Sequence, residues 1–398
     1  MEESYLRKEK VKISYASMLA IMVLLSCLDN IEVLNSALHI FHYFYIIRYV
    51  LIILLFMSYV VKRKRTTIIT NLIVIFFVWI IAMTIRKQGD YMVAMQVISR
   101  PVLVVITLDF YRSKLKKVLM PWKNICLILV LLDVISMIIF PNGLYATDLY
   151  GINWFLGYKT ARYEYIMPLV LISLYLSYGK REKIDFQTIT ICVISLFTMW
   201  YSQATAAFLS LALLIVVILL DNFKDLFKQS INIFYIIFSR KYIVILYILA
   251  NLALFSIGQL PIVQSFVINV LHKDATLTTR TTLWAKIFMY ISKSPMFGNG
   301  YLNFEQFVYI TKNPYAGSAH NLMIRILISV GFLGLILFFT IISLGLPEKK
   351  EKKVLNKQYF TFLIGIVSTL IVGLTSDSLF LSFFYFSIVQ LAFLQKKF

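Results

Sequence analysis

At 398 residues, 60% hydrophobic and only 15% charged, with a mean hydropathy of +0.81, the chain is too apolar to clothe a surface that faces water. Its formal charge of +20 could signal nucleic acid, but the basic residues stand in short clusters beside apolar runs rather than on a separate polar domain. Composition therefore excludes a soluble domain and points to an all-α, polytopic transmembrane bundle, because segments this apolar satisfy their backbone in lipid only as helices.

Apolar runs fall in chain order near 13–29, 43–61, 66–85, 91–110, 121–140, 165–178, 186–201, 205–220, 242–258, 321–345, 358–375 and 379–395, which predicts about twelve spans. The first run leads straight into further spans with no small-residue cleavage signature, so no removable signal peptide is expected. Alternate connections (7–12, 62–65, 112–123, 180–183, 224–241, 349–357 and 396–397) hold 27 of the 39 Lys and Arg residues. The positive-inside rule then places both termini in the cytoplasm. The chain reads as one integral membrane domain over 1–398, and Cys27, Cys126 and Cys192 read as packing residues without metal or disulfide spacing.

Two substantial connections fall on the outer side, at 141–164 and 259–320. Long loops in compact proteins are usually functional. Within the second, Leu283, Ile287 and Ile291 recur every four residues, which predicts a short amphipathic helix from near Thr281 to the stop at Pro295.

No phosphate-binding glycine loop, HExxH, paired-cysteine site or nucleophile elbow occurs, which argues against ATP-driven transport and zinc hydrolysis. No metal and no cofactor is expected. The strongest local signal is Ser318-Ala319-His320-Asn321, directly before a long apolar run. An imidazole with an ordinary pKa of ~6.5 could take a proton from a hydroxyl nucleophile, and Asn321 could orient it or contact substrate; equally, a histidine at a membrane boundary can be structural. Arg48, Arg100 and Arg325 lie in or near apolar runs, where a guanidinium must pair, face a wet cavity or reach the headgroups. Arg280 stands in the large loop, and Lys159 and Arg162 in the smaller one. Together these cations could line an outer cavity suited to phosphate oxygens.

The ordered set Arg280, Trp284, Pro295, Phe297-Gly298, Gly300, Phe304, His320-Asn321 and Gly331-Phe332-Leu333-Gly334 resembles the signature region of the O-antigen polymerase and ligase (Wzy-type) superfamily. The resemblance implies a GT-C-like helical bundle in the bacterial cytoplasmic membrane, with a large outer loop carrying short helices. It implies functional roles for Arg280 and His320, with Trp284 in the same motif. A polar uncharged residue often stands in the family where this chain has Arg325. The implied activity is metal-independent, inverting polymerisation of repeat units on undecaprenyl pyrophosphate, for a capsular or other surface polysaccharide. The partners it implies are lipid-linked donor and acceptor glycans, with a flippase and a chain-length regulator nearby and no nucleic acid. A ligase of the same family would use the same residues; a lipid-linked oligosaccharide flippase is the rival outside the enzyme class. Gly298, Gly300 and Gly317 are expected to let the outer loop turn closely over the sugars, or simply to form turns.

Overall fold

The computed structural model describes residues 14–28, 31, 33–34, 43–147, 151–181, 184–222, 242–257, 276–346, 357–377, 379–380, 385 and 387–389. The chain forms α1 (Tyr15–Leu25), α2 (Phe44–Val61), α3 (Ile68–Arg86), α4 (Tyr91–Phe110) and α5 (Leu115–Ile139). A two-stranded antiparallel hairpin, β1 (Tyr145–Thr147) and β2 (Gly151–Asn153), precedes α6 (Tyr163–Arg181), α7 (Phe186–Tyr201), α8 (Thr205–Asn222) and α9 (Tyr242–Ile257). Then come α10 (Thr276–Ile291), α11 (Phe304–Thr311), α12 (Leu322–Gly345) and α13 (Lys357–Gly373). Five stretches, Phe44–Val61, Ile68–Arg86, Tyr91–Phe110, Arg112–Ile139 and Leu322–Gly345, are long and apolar enough to cross a membrane, and six described helices are apolar but shorter. This is a multi-pass membrane protein. Most of the expected last run, 379–395, lies outside the described residues, as do the termini.

The helices pack inside out relative to a soluble bundle. On α2, Arg48, Leu51, Leu55 and Tyr59 are buried, while Ile46, Val50, Ile53, Met57 and Val60 are exposed. An apolar outer face is stable against acyl chains, not water. At the centre, α6 packs on α5, α7 and α13, and α13 in turn on α8. Its inward position matches its sequence, apolar on every side from Tyr165 to Leu176.

The corners sort to two ends. At one, Lys64 Nζ donates to Phe110 O at 2.8 Å, Thr67 N to Asp109 Oδ2 at 2.9 Å and Ser17 Oγ to Lys117 O at 3.0 Å, so the basic connections 62–65 and 112–123 lie together. At the opposite end a cap of α10 and α11 has its own small core of Leu283, Trp284, Ile287, Leu302 and Phe307.

The long run expected at 321–345 is not one straight helix. Gly331 adopts φ 68 and ψ −165, which breaks α12. The freed carbonyls of Ile328 and Ser329 accept from Asn299 N at 2.7 Å and Gly300 N at 2.9 Å, while Phe332 N and Leu333 N donate to Pro295 O at 2.8 Å and Met296 O at 3.2 Å. The segment 295–300 thus supplies the partners the broken helix lacks, as a buried backbone requires. A Cβ on Gly298 would fall on the main chain of Ser329 and Val330, and one on Gly300 on the main chain of Thr84. These two glycines therefore let backbone lie on backbone. Gly317 packs where a Cβ would meet the ring of Phe304.

Candidate functional site

α10 begins earlier than its apolar period suggested, at Thr276, and this brings Arg280 into the helix one turn before Trp284. Residues at i and i+4 share a face. Trp284 is buried, its ring 4.9 Å from that of Phe255, and its Nε1 donates to Ala319 O at 3.0 Å. The residue before His320 is thereby tied to the face of α10 that carries Arg280.

The residue after it is tied as firmly. Asn321 caps α12, its Oδ1 accepting from Ile324 N at 3.0 Å, while Nδ2 donates to Asn251 Oδ1 at 2.8 Å and Leu374 O at 3.0 Å. Between these anchors His320 takes a left-handed backbone, φ 49, with its N–H donating to Ser318 Oγ at 3.3 Å. Such a conformation is uncommon outside glycine and persists only where the surroundings impose it.

His320 senses Arg280. Burial first, then the charge of Arg280, pushes the His320 imidazole down to about 4, so the ring is neutral at physiological pH. Burial also lowers Arg280 from its ordinary value, opposed by the phenol of Tyr158. Tyr158 belongs to the smaller outer loop, where Lys159 Nζ lies 5.4 Å from its ring centroid. Arg280, His320, Tyr158 and Lys159 therefore form one neighbourhood drawn from both long connections.

Arg162 is fully buried. Its Nε contacts Asp133 Oδ2 at 2.7 Å, its guanidinium lies 5.2 Å from the Trp154 ring centroid, and Leu156 N donates to the other Asp133 oxygen at 2.8 Å. Among the described residues neither terminal nitrogen of Arg162 has a hydrogen-bond partner. A buried guanidinium with two open donors can accept an anion.

The other expected contacts are engaged within the protein. Arg325 pairs with Asp377 at 3.1 Å, donates through Nη2 to Leu302 O at 3.0 Å and sits 5.0, 4.9 and 5.3 Å from the rings of Tyr301, Phe307 and Phe380. Arg325, expected from the sequence to contact substrate, clamps α12 to the turn after α13. The polar atoms of Asn321 and Trp284, likewise expected to contact substrate, hold main chain and Asn251 in place. Arg100, half-buried on α4, acts electrostatically on Tyr301 together with Arg325, Asp377 and Asp90, which puts it with that group. Arg48 donates to Ser99 Oγ, Ser26 O and Gln96 O at 2.7, 2.6 and 3.2 Å and is structural.

Asp133 and Tyr158 escaped the sequence reading. Asp133 carried a usable signal, a lone carboxylate inside the apolar run 121–140. Tyr158 is one of 25 tyrosines and carried none. Among the described residues no group of three or more His, Cys, Asp or Glu is placed to hold a metal ion.

Residues 190–339 match a family model described as O-antigen ligase. The matched segment contains Arg280, His320 and the kink in α12, but not the smaller outer loop. No curated protein and no solved structure matches the chain.

Proposed function

We propose, from the O-antigen ligase match that supports placing this membrane enzyme in the O-antigen polymerase and ligase superfamily, that it polymerises lipid-linked oligosaccharide repeat units. The chemistry is metal-independent, inverting glycosyl transfer on the outer membrane face, for a capsular or other surface polysaccharide. The observation that carries this reading is the neutral His320 imidazole held within electrostatic reach of Arg280.

In this reading the acceptor sugar hydroxyl gives its proton to His320 while its oxygen attacks the anomeric carbon of a glycan on undecaprenyl pyrophosphate. The anomeric C–O bond to pyrophosphate breaks and the electron pair leaves with the phosphate. Arg280 stabilises that charge, aided by Lys159 and by the two open nitrogens of Arg162. The imidazole then returns its proton to the departing phosphate or to water. A pyrophosphate beside Arg280 offsets the cation that depresses His320, so donor binding itself strengthens the base. Lipid anchoring of both substrates at one depth lowers the entropic barrier.

The name of the matched family favours a second reading, transfer of a finished chain to a different acceptor by the same residues. Purified protein given lipid-linked repeat units, chelator and no nucleotide separates the two: a ladder of longer glycans indicates polymerisation. His320→Ala and Arg280→Ala, checked for folding, should abolish the ladder. Full-length ladders from both folded variants would remove these residues from the reaction.

A further inference from the structure

The start of α12 is held by two side chains that reach the same place. Asn321 Nδ2 donates to Leu374 O at 3.0 Å, and one turn further on the Arg325 guanidinium pairs with Asp377 Oδ2 at 3.1 Å. Leu374 and Asp377 lie in the turn directly after α13. That turn is closed on the helix by Leu374 N donating to Ile371 O at 3.2 Å and Ser376 N to Val372 O at 3.0 Å. Arg325 Nη2 also donates to Leu302 O at 3.0 Å, and the adjoining Tyr301 N donates to Thr84 Oγ1 of α3 at 2.7 Å. The first turn of α12 is thus fixed to α3 and α13 together, and His320 stands immediately before its cap.

As a source of stability alone the ion pair is a poor device. Arg325 is 3% exposed, and the rings of Tyr301, Phe307 and Phe380 stand about its guanidinium. Taking two charges out of water costs much of what their attraction returns, so apolar side chains often hold such a site equally well. The pair does, however, refuse other registries, because a charge moved off its partner is left buried and uncompensated. Asn321 and Arg325 are four residues apart and share a face, so turning α12 about its axis breaks both contacts at once.

We propose that Arg325 and Asp377 are positioning residues for the transfer reaction, an ion pair that fixes the direction in which His320 leaves α12 and hence its bearing on Arg280. The proposal rests on the reading of His320 as the base. Its consequence is that stability and alignment come apart when the pair is replaced by apolar side chains.

Arg325→Met combined with Asp377→Leu makes that replacement. The double variant should fold with a thermal midpoint equal to or above the parent's, whereas Arg325→Met alone strands a buried carboxylate and should lower it. In the double variant kcat for glycan extension should fall roughly ten- to a hundredfold with KM little changed, the effect of a misplaced reacting group. His320 should also react faster with diethyl pyrocarbonate, read by peptide mass spectrometry against His39 and His42 in the same sample. An unchanged kcat, or an unchanged modification rate at His320, in the stable double variant overturns the proposal. The modification needs no substrate, so a parent protein that builds no glycan ladder counts against the transfer reading, and an unchanged His320 rate against this one. Asp377→Glu keeps both charges and moves the carboxylate by one methylene. It should also speed modification of His320, and a parent rate there overturns the proposal even if the double variant does not fold.

Discussion

Trp284 donates its indole N–H to the carbonyl of Ala319, the residue immediately before His320. The bond ties His320 to the helix that carries Arg280, one turn before Trp284. Trp284→Phe keeps a ring of similar packing but leaves that buried carbonyl without its donor, a loss of about 1 to 3 kcal/mol. The thermal midpoint should fall modestly, and kcat for glycan extension should fall more than KM rises. An unchanged kcat would show that the tie does not position His320.

The depressed imidazole makes stability depend on pH. Between an ordinary value of ~6.5 in the unfolded chain and about 4 in the folded one, the unfolded state binds more protons, so stability falls as pH drops through that window. The integrated loss is about 3 kcal/mol, at ~1.4 kcal/mol per unit. His320→Gln should flatten denaturant midpoints between pH 6.5 and 4 relative to the parent protein. The same slope in both proteins would refute the assignment.

Arg162→Lys separates anchoring from anion binding. Lysine keeps a positive charge for Asp133 but loses the fork whose two outer nitrogens are open. The variant should fold, and its KM for the lipid-linked donor should rise about tenfold, the effect of losing one charged hydrogen bond. By contrast Asp133→Ala leaves a buried guanidinium uncompensated and should cost about 3 to 5 kcal/mol. An unchanged KM in Arg162→Lys would remove Arg162 from substrate binding.

Gly298→Ala should be far more damaging than Gly151→Ala, although both positions have positive φ, 77 and 64. A Cβ at Gly298 meets the main chain of α12, whereas one at Gly151 meets nothing within 4 Å. The second change should therefore carry only the backbone cost of about 1 to 2 kcal/mol, and the first more than about 4 kcal/mol. Thermal unfolding in detergent measures both.

The membrane bundle was legible because lipid imposes long apolar runs, and most helix bounds fall within a few residues of them. Arg280 and His320 stood out only as parts of an ordered motif; neither spacing nor composition says that residues forty apart come within electrostatic reach. What remained hidden depends on tertiary contact. Nothing in the sequence ties Asp377 to Arg325, and the glycines at 298 and 300 looked like turn residues until Gly331 broke α12 beneath them. A two-stranded hairpin in the smaller loop was too short to register as periodic alternation.

Four main-chain hydrogen bonds stitch residues 295–300 into the gap in α12. That helix cannot straighten without evicting a whole strand of backbone and leaving both sides unsatisfied. The bend is consequently a fixed joint rather than a hinge, and the short upper length that carries Asn321 and Arg325 keeps a constant bearing to the length below it.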